Sequence, residues 1–221
     1  MLPEDLCRHY PVLYHIAWGG SWPSIEEHGL LSTKALLKLY GKEEEEISEL
    51  TQSRRAHWVA IDCPGRPPAV LRDQKPMTDE GLRRALPGSV EPRQWYELIN
   101  SMVFFWPTTA RLQTMISASA YRAVEHDVLV VDTRTLVRLA EADLRLSRMN
   151  SGCTKPMPHY RDLGLFKRIA EYPFEERRKK AGVGKAIAEV CVVDGVEGIA
   201  EAVVDVESGL ARDVMEAIGG G

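Results

Sequence analysis

A handful of residues in this chain combine a reactive side chain with a setting that could use it. Glu189 lies in AIAEVCVVDGV, with apolar residues on both sides, so a core strand carries a carboxylate where most strands carry none. Burying an unpaired carboxylate is costly, and its presence asks for a reason. The plain alternative is strict strand alternation, which turns Ala188 and Val190 inward and Glu189 out to solvent. His15, in LYHIAW, is either a functional imidazole or a satisfied core histidine. Phe104, Phe105 and Trp106 form an aromatic run that packs a core or, at a strand end, stacks a planar heterocycle. Arg111 follows at a helix start, where a guanidinium fork suits phosphate oxygens if it is more than a surface arginine. No one of these decides a function alone.

The elements that must position them alternate without a regular repeat. PVLYHIAW reads as a strand, GGS as a turn, and SWPSIEEHG as a helix with Pro23 at its start, Glu26 and Glu27 in its first turns, and Gly29 ending it in the left-handed conformation. Ser32 or Thr33 caps the next helix, with Ala35, Leu36, Leu39 and Tyr40 at helical spacing before Gly41. KEEEEISEL reads as a solvated helix face, HWVAIDC as a strand, and PGRPP as a loop unable to join a central ladder. TDEGLRRAL and PRQWYELIN are expected helices, the second packing through Trp95 and Tyr96. VFFW is a short buried strand closed by Pro107, and Thr108 or Thr109 caps ARLQTMI. HDVLVVDT is apolar enough to be a central strand, with LRLSRM as its neighbour. NSGCTKPMPHYRDLG is a long loop, AIAEVCVVDGV and AEAVVDVE are two strands around VEGI, and GLARDVMEAI is a terminal helix. The class expected is α+β, one domain over residues 1–221, with a core from about residue 10 to 207 and a terminal helix and glycine tail over 208–221.

Composition removes several classes. Lys and Arg total 28 against 32 Asp and Glu, a net charge of −4, so a nucleic-acid partner would need a local basic patch. Arg177, Arg178, Lys179 and Lys180, together with RDQKPM, are the segments that could form one; a solvated helix end is the alternative for the first group. The four cysteines are dispersed, no zinc spacing occurs among the six histidines, and no apolar run nears the ~20 residues of a bilayer span. A cytoplasmic protein without metal or membrane attachment is expected. Nucleophile-elbow, Walker and dinucleotide-fingerprint glycine motifs are absent.

The order of the segments carries more than any residue. YHIAWGGSWPSIEEHGLLST resembles the start of ADP-ribosyltransferase domains, in particular the DNA-targeting DarT toxins and more distantly the poly(ADP-ribose) polymerase and RNA 2′-phosphotransferase folds. VFFW then resembles the aromatic strand of DarT-like domains, HDVLVVDT their central strand, and AIAEVCVVDGV the late strand bearing a glutamate, an order running from about residue 13 to residue 207. The chain also looks like a bacterial family of unknown function sharing YH…WPSI…HGLLST, RDQKPM, VFFW, DVLVVDT, NSG and YPF. WPTTARL departs from the DarT pattern after the aromatic strand, making Arg111 an approximate counterpart of the DarT arginine, and no target-recognition loop can be matched.

The DarT resemblance implies small antiparallel or mixed sheets forming a cleft flanked by short helices, and an ADP-ribosyltransferase using NAD as substrate without a metal. Cleaving the bond between nicotinamide and ribose passes through an oxocarbenium-like transition state that one carboxylate can stabilise. By resemblance Glu189 takes that role, holding a ribose hydroxyl and assisting deprotonation of the acceptor. His15 holds the adenosine ribose, Gly29 and Leu30 bring backbone groups to the nicotinamide amide, Phe105, Trp106 or Tyr121 stacks on its ring, and Arg111 meets the pyrophosphate. Asn150, Ser151 and Gly152 either shape the acceptor site or form an ordinary turn. The acceptor implied is a macromolecule, nucleic acid or protein, and a reversing hydrolase or antitoxin is a candidate partner. The rival readings are a catalytically inactive nucleotide-binding or interaction module on the same fold, an enzyme acting on an RNA 2′-phosphate, and a purely structural protein.

Overall fold

The computed structural model describes residues 1–220, and Gly221, the last of the glycine tail, lies outside the described residues. In chain order the elements are α1 (Pro3–His9), β1 (Val12–Trp18), α2 (Trp22–His28), β2 (Leu30–Leu31), α3 (Thr33–Leu39), α4 (Glu44–Gln52), β3 (Val59–Ile61), β4 (Ala69–Leu71), α5 (Asp79–Ala85), α6 (Pro92–Asn100) and β5 (Met102–Phe105). They continue as α7 (Thr109–Ile116), β6 (Glu125–Asp132), α8 (Thr133–Ala140), β7 (Leu144–Ser147), α9 (Phe174–Ala181), α10 (Val183–Ala186), β8 (Glu189–Val193), β9 (Gly195–Val196), β10 (Val203–Leu210) and α11 (Ala211–Gly219).

The class is α+β, as its uneven alternation of elements predicts. Two three-stranded sheets, ordered β1-β6-β10 and β5-β8-β7, are accompanied by the separate two-stranded pairs β2-β9 and β3-β4. Every one of these pairings is antiparallel. The larger sheets meet where Trp106, just past β5, exchanges backbone hydrogen bonds with Tyr14 of β1 at 2.8 and 3.0 Å. That bridge sets His15 beside the end of β5.

β6 is central, as its continuous apolar run predicts, with Val128, Leu129 and Val131 fully buried. β7 is not its neighbour. Both edges of β6 are occupied by β1 and β10, so Leu144 and Leu146 find cover by pairing with β8 instead. The two strands around VEGI also part company, β8 entering one sheet and β10 the other, while the connection itself supplies β9. β8 is the middle strand of its sheet and is covered on both faces, with Val190, Cys191 and Val192 at 0% exposure and Glu189 at only 4%. The alternation that would have turned Glu189 to solvent therefore fails, because neither face of this strand meets water.

Local chemistry explains most helix ends. Ser32 Oγ accepts from the Ala35 amide at 3.1 Å to start α3, and Thr108 Oγ1 accepts from the Arg111 amide at 3.3 Å to start α7. α4 presents its glutamates outward but buries Ile47 and Thr51, one turn apart, against its neighbours. α1, α8 and β4 have no counterpart in the sequence expectations; β4 follows PGRPP and pairs only with β3, outside any central ladder. The terminal segment is strand as far as Leu210 and helix from Ala211. Among the described residues no helix is long and apolar enough to cross a membrane.

Candidate active site

Glu189 opens β8 opposite Ser147 of β7, and the chain leaving β7 turns back over it at once. The Ser151 amide donates to both carboxylate oxygens, at 3.0 Å to Oε1 and 3.1 Å to Oε2. Burial pushes the carboxyl up to about 7; the Ser151 bonds and the cations Arg111 and Arg161 pull the other way. A carboxyl tuned to neutrality can be ionised to face positive charge and can take up a proton afterwards.

His15 enters from β1. Its Nδ1 lies 2.9 Å from the Phe104 carbonyl, which can only accept, so Nδ1 carries the hydrogen and Nε2 is left as an acceptor. Burial, the largest influence, pushes this imidazole down to about 4, with Arg72 adding to it, and the ring is neutral at pH 7. Such a ring accepts a hydrogen bond from a hydroxyl.

Arg111 occupies the first turn of α7 and is half-buried. Its Nε is buried without a hydrogen-bond partner, and burial lowers its pKa against the opposing influence of Glu189. An arginine with an unused buried donor beside a cleft fits an oxyanion that arrives with a ligand. Tyr121 is buried, donates from its hydroxyl to Asp73 Oδ1 at 3.0 Å, and lies beneath the Arg72 guanidinium, 5.1 Å from the ring centroid. Burial and Asp73 raise its phenol pKa.

These groups surround one cleft of about 830 Å³, the size range of small-molecule and cofactor sites. His15, Gly29, Leu30, Trp106, Arg111, Tyr121 and Glu189 all line it, as do Asn150, Ser151 and Gly152. Phe105 does not. Its side chain is fully buried in the core, edge-on to the His15 ring at 5.7 Å, while its neighbours Phe104 and Trp106 reach the cleft. Strand alternation accounts for the correction.

Gly29 is corrected in kind. Its φ of 86° comes with a ψ of 167°, an extended mirror-image conformation and not the left-handed helical one. A Cβ there would sit 2.9 Å from the Val196 carbonyl oxygen, so β9 is what approaches the missing side chain.

RDQKPM does not join the Arg177 cluster on the surface. Arg72, Asp73, Gln74, Pro76 and Met77 form a wall of the cleft. Arg177 is engaged with the Ala186 carbonyl at 2.9 Å and Arg178 pairs with Glu175, leaving Lys179 and Lys180 exposed. Trp95 and Tyr96 are packed inside, as expected for a helix face. Sequence reasoning missed Asp73 and Arg161. The first was visible only as part of a charged hexapeptide, and the second is an unremarked arginine in a long loop.

An α+β cleft with a buried glutamate ionising near neutrality, a neutral histidine and an under-used arginine defines the class of site. The chain belongs to the family of unknown function DUF7002, whose model matches residues 11–203. No curated protein matches it. Among solved structures it is similar to Thermosipho africanus DarTG in complex with ADP-ribose, at 12% identity and a TM-score of 0.44, over 95% of this chain and 48% of that one. The chain thus spans about half the length of that protein.

Proposed function

We propose that this protein is an ADP-ribosyltransferase that consumes NAD and passes ADP-ribose to a macromolecular acceptor, with nucleic acid favoured over protein by the sequence resemblance to DarT toxins. The observation that carries the reading is the buried carboxylate of Glu189, held by a backbone amide in the same cleft as His15, Trp106, Arg111 and Tyr121.

NAD is a substrate here, and it supplies a ribosyl carbon bearing a good leaving group. As the carbon–nitrogen bond breaks, its electron pair leaves with nicotinamide and positive charge develops on the ribose. Glu189 stabilises that charge as a carboxylate, without needing a partner acid. The acceptor nucleophile then bonds to the same carbon and Glu189 takes its proton, a step suited to a carboxyl near 7. His15 Nε2 accepts from a ribose hydroxyl, Trp106 and Tyr121 offer aromatic surface to a planar ring, and Arg111 meets the pyrophosphate through its free Nε.

One feature weighs against an enzyme for RNA 2′-phosphate. Arg55 and Arg72 also line the cleft, but Arg55 is spent on the Leu50 and Arg72 carbonyls and on Asn100, and Arg72 donates to the Ile16 carbonyl. Each guanidinium nitrogen of Arg55 is thus engaged, which leaves Arg72 and Arg111 as the cleft arginines with N–H groups open to a phosphate, where a phosphotransferase needs several converging cations.

The test incubates purified wild type and Glu189→Gln with radiolabelled NAD and cell lysate, then treats the product with nuclease or protease. Label transfer by the wild type that is lost in the variant supports the transferase, and the sensitivity identifies the acceptor class. Equal transfer by both proteins, or none from a folded wild type across lysates of several sources, removes it in favour of the binding module.

A further inference from the structure

Arg161 has no exposed surface, although it lies in the middle of a long loop. Its guanidinium donates from Nη1 to the Ser151 carbonyl at 2.8 Å, from Nη2 to the Cys153 carbonyl at 2.7 Å and from Nε to the His159 carbonyl at 3.2 Å. One face lies over the Trp95 ring, 5.4 Å from its centroid, and the Arg161 amide donates to the Ala85 carbonyl at 3.0 Å. Among the described residues no carboxylate forms an ion pair with it. Burying a charge on carbonyls alone is a poor way to gain stability, since an apolar side chain of similar volume often serves as well.

What the arrangement achieves is placement. Ser151 is held at both its backbone polar groups, its carbonyl by Arg161 and its amide by both oxygens of Glu189. The same loop is tied to the cleft wall three residues on, where the Thr154 amide donates to the Pro76 carbonyl at 3.1 Å and Thr154 Oγ1 accepts from the Thr78 amide at 3.2 Å. Gly81 leaves room for that contact; a Cβ there would lie 2.6 Å from Thr154 Oγ1.

We propose that Arg161 is a positioning residue: by gripping three carbonyls of the 151–159 loop it holds the Ser151 amide against Glu189 and so keeps that carboxylate ionisable and aimed into the cleft. The idea rests on Glu189 being the working carboxylate of the proposed transferase. The groups that face Glu189 are Arg111 from α7, Arg161 and the Ser151 amide from the loop, and the Cys191 thiol on its own strand, itself held protonated by burial.

Arg161→Lys keeps the charge and removes the fork, so it separates positioning from simple electrostatics. The readout is the Glu189 carboxyl ¹³C titration, assigned by its disappearance in Glu189→Gln. The expected result is a midpoint at least one pH unit higher in Arg161→Lys than in wild type, a tenfold rise in proton affinity, with the acid limb of NAD turnover moving by the same amount. An unchanged midpoint in folded Arg161→Lys overturns the proposal. Should that variant not fold, hydrogen exchange on the wild type decides. A Ser151 amide as protected as those of β8 supports the clamp, and one exchanging like open loop amides overturns it. If wild type turns over no NAD while the midpoint still moves, the transferase reading fails and the positioning role stands.

Discussion

Replacing Glu189 by Gln should stabilise the protein at neutral and higher pH and do little in acid. The carboxyl is displaced upward from 4.5 to about 7 in the folded chain, mainly by burial. The native state therefore holds this proton more tightly than the unfolded chain, and stability is lost as pH rises through the window between those values. Below about 4.5 both states are protonated and nothing is lost; above about 7 both are ionised and the full cost stands. A displacement of that size corresponds to about 3 kcal/mol. Glutamine cannot titrate, and its carbonyl oxygen can still accept from the Ser151 amide, so the variant escapes the loss. For a chain of this length each kcal/mol moves Tm by roughly 2–4 °C, so the Tm of the variant minus that of wild type should grow by roughly 6–12 °C from pH 4.5 to pH 8. Taking the difference at each pH cancels the other titrating groups. Differential scanning fluorimetry in matched buffers is sufficient. A difference that stays flat refutes the argument from burial. A wild type that gains on the variant with rising pH would mean that Ser151, Arg111 and Arg161 together outweigh desolvation.

Two other substitutions or titrations probe the cleft walls. Gly29→Ala should cost about 2–3 kcal/mol, since the residue has a φ of 86° and its new Cβ would meet the Val196 carbonyl oxygen at 2.9 Å. Gly20→Ala, at φ 80° with nothing within 4 Å, serves as the comparison; equal losses in urea midpoints would show that the approach of β9 is not what demands glycine. The His15 imidazole should stay neutral, with hydrogen on Nδ1, across pH 5.5 to 8, because its pKa is pushed down to about 4. Ring ¹⁵N shifts that titrate near the ordinary histidine value would contradict its part-buried bond to the Phe104 carbonyl.

Much of the scaffold was legible because local rules decide it. Ser32 and Thr108 cap helices by reaching back to amides three residues on, and nothing distant changes that chemistry. The apolar run of β6 needed cover on both faces and has it. What was illegible depends on partners far away in sequence. β8 looked like an alternating strand because a period of two says only which residues share a face, and says nothing of whether the other face meets water or a second layer. The partner of β7 was missed for the same kind of reason, since the occupancy of both β6 edges is a property of the whole sheet. RDQKPM looked like a surface patch because charge in a sequence is usually solvated; here Asp73 is satisfied by Tyr121 and Lys75, and Arg72 by a carbonyl and an aromatic face. Arg161 gave no signal at all, because three carbonyl acceptors leave no side-chain partner to find.

The placement of these groups also fixes how the cleft responds to pH. His15 is already neutral by pH 5, the Tyr121 phenol is displaced upward, and the Arg111 guanidinium keeps its proton throughout. Of the three ionisable candidates brought beside it and Glu189 itself, Glu189 alone changes charge close to neutrality. Chemistry that needs its carboxylate must then rise with pH to a plateau beyond about 7. That assignment follows from the fold: the bridge between Tyr14 and Trp106 brings the histidine strand to the aromatic strand, β8 pairs with that strand on its far edge, and the loop returning from β7 closes over the carboxylate. A sheet seam has thereby set a glutamate that ionises near neutrality beside a neutral histidine and an arginine with an unused donor, an arrangement in which one glutamate can act both as the stabiliser of a cation and as the base that follows it.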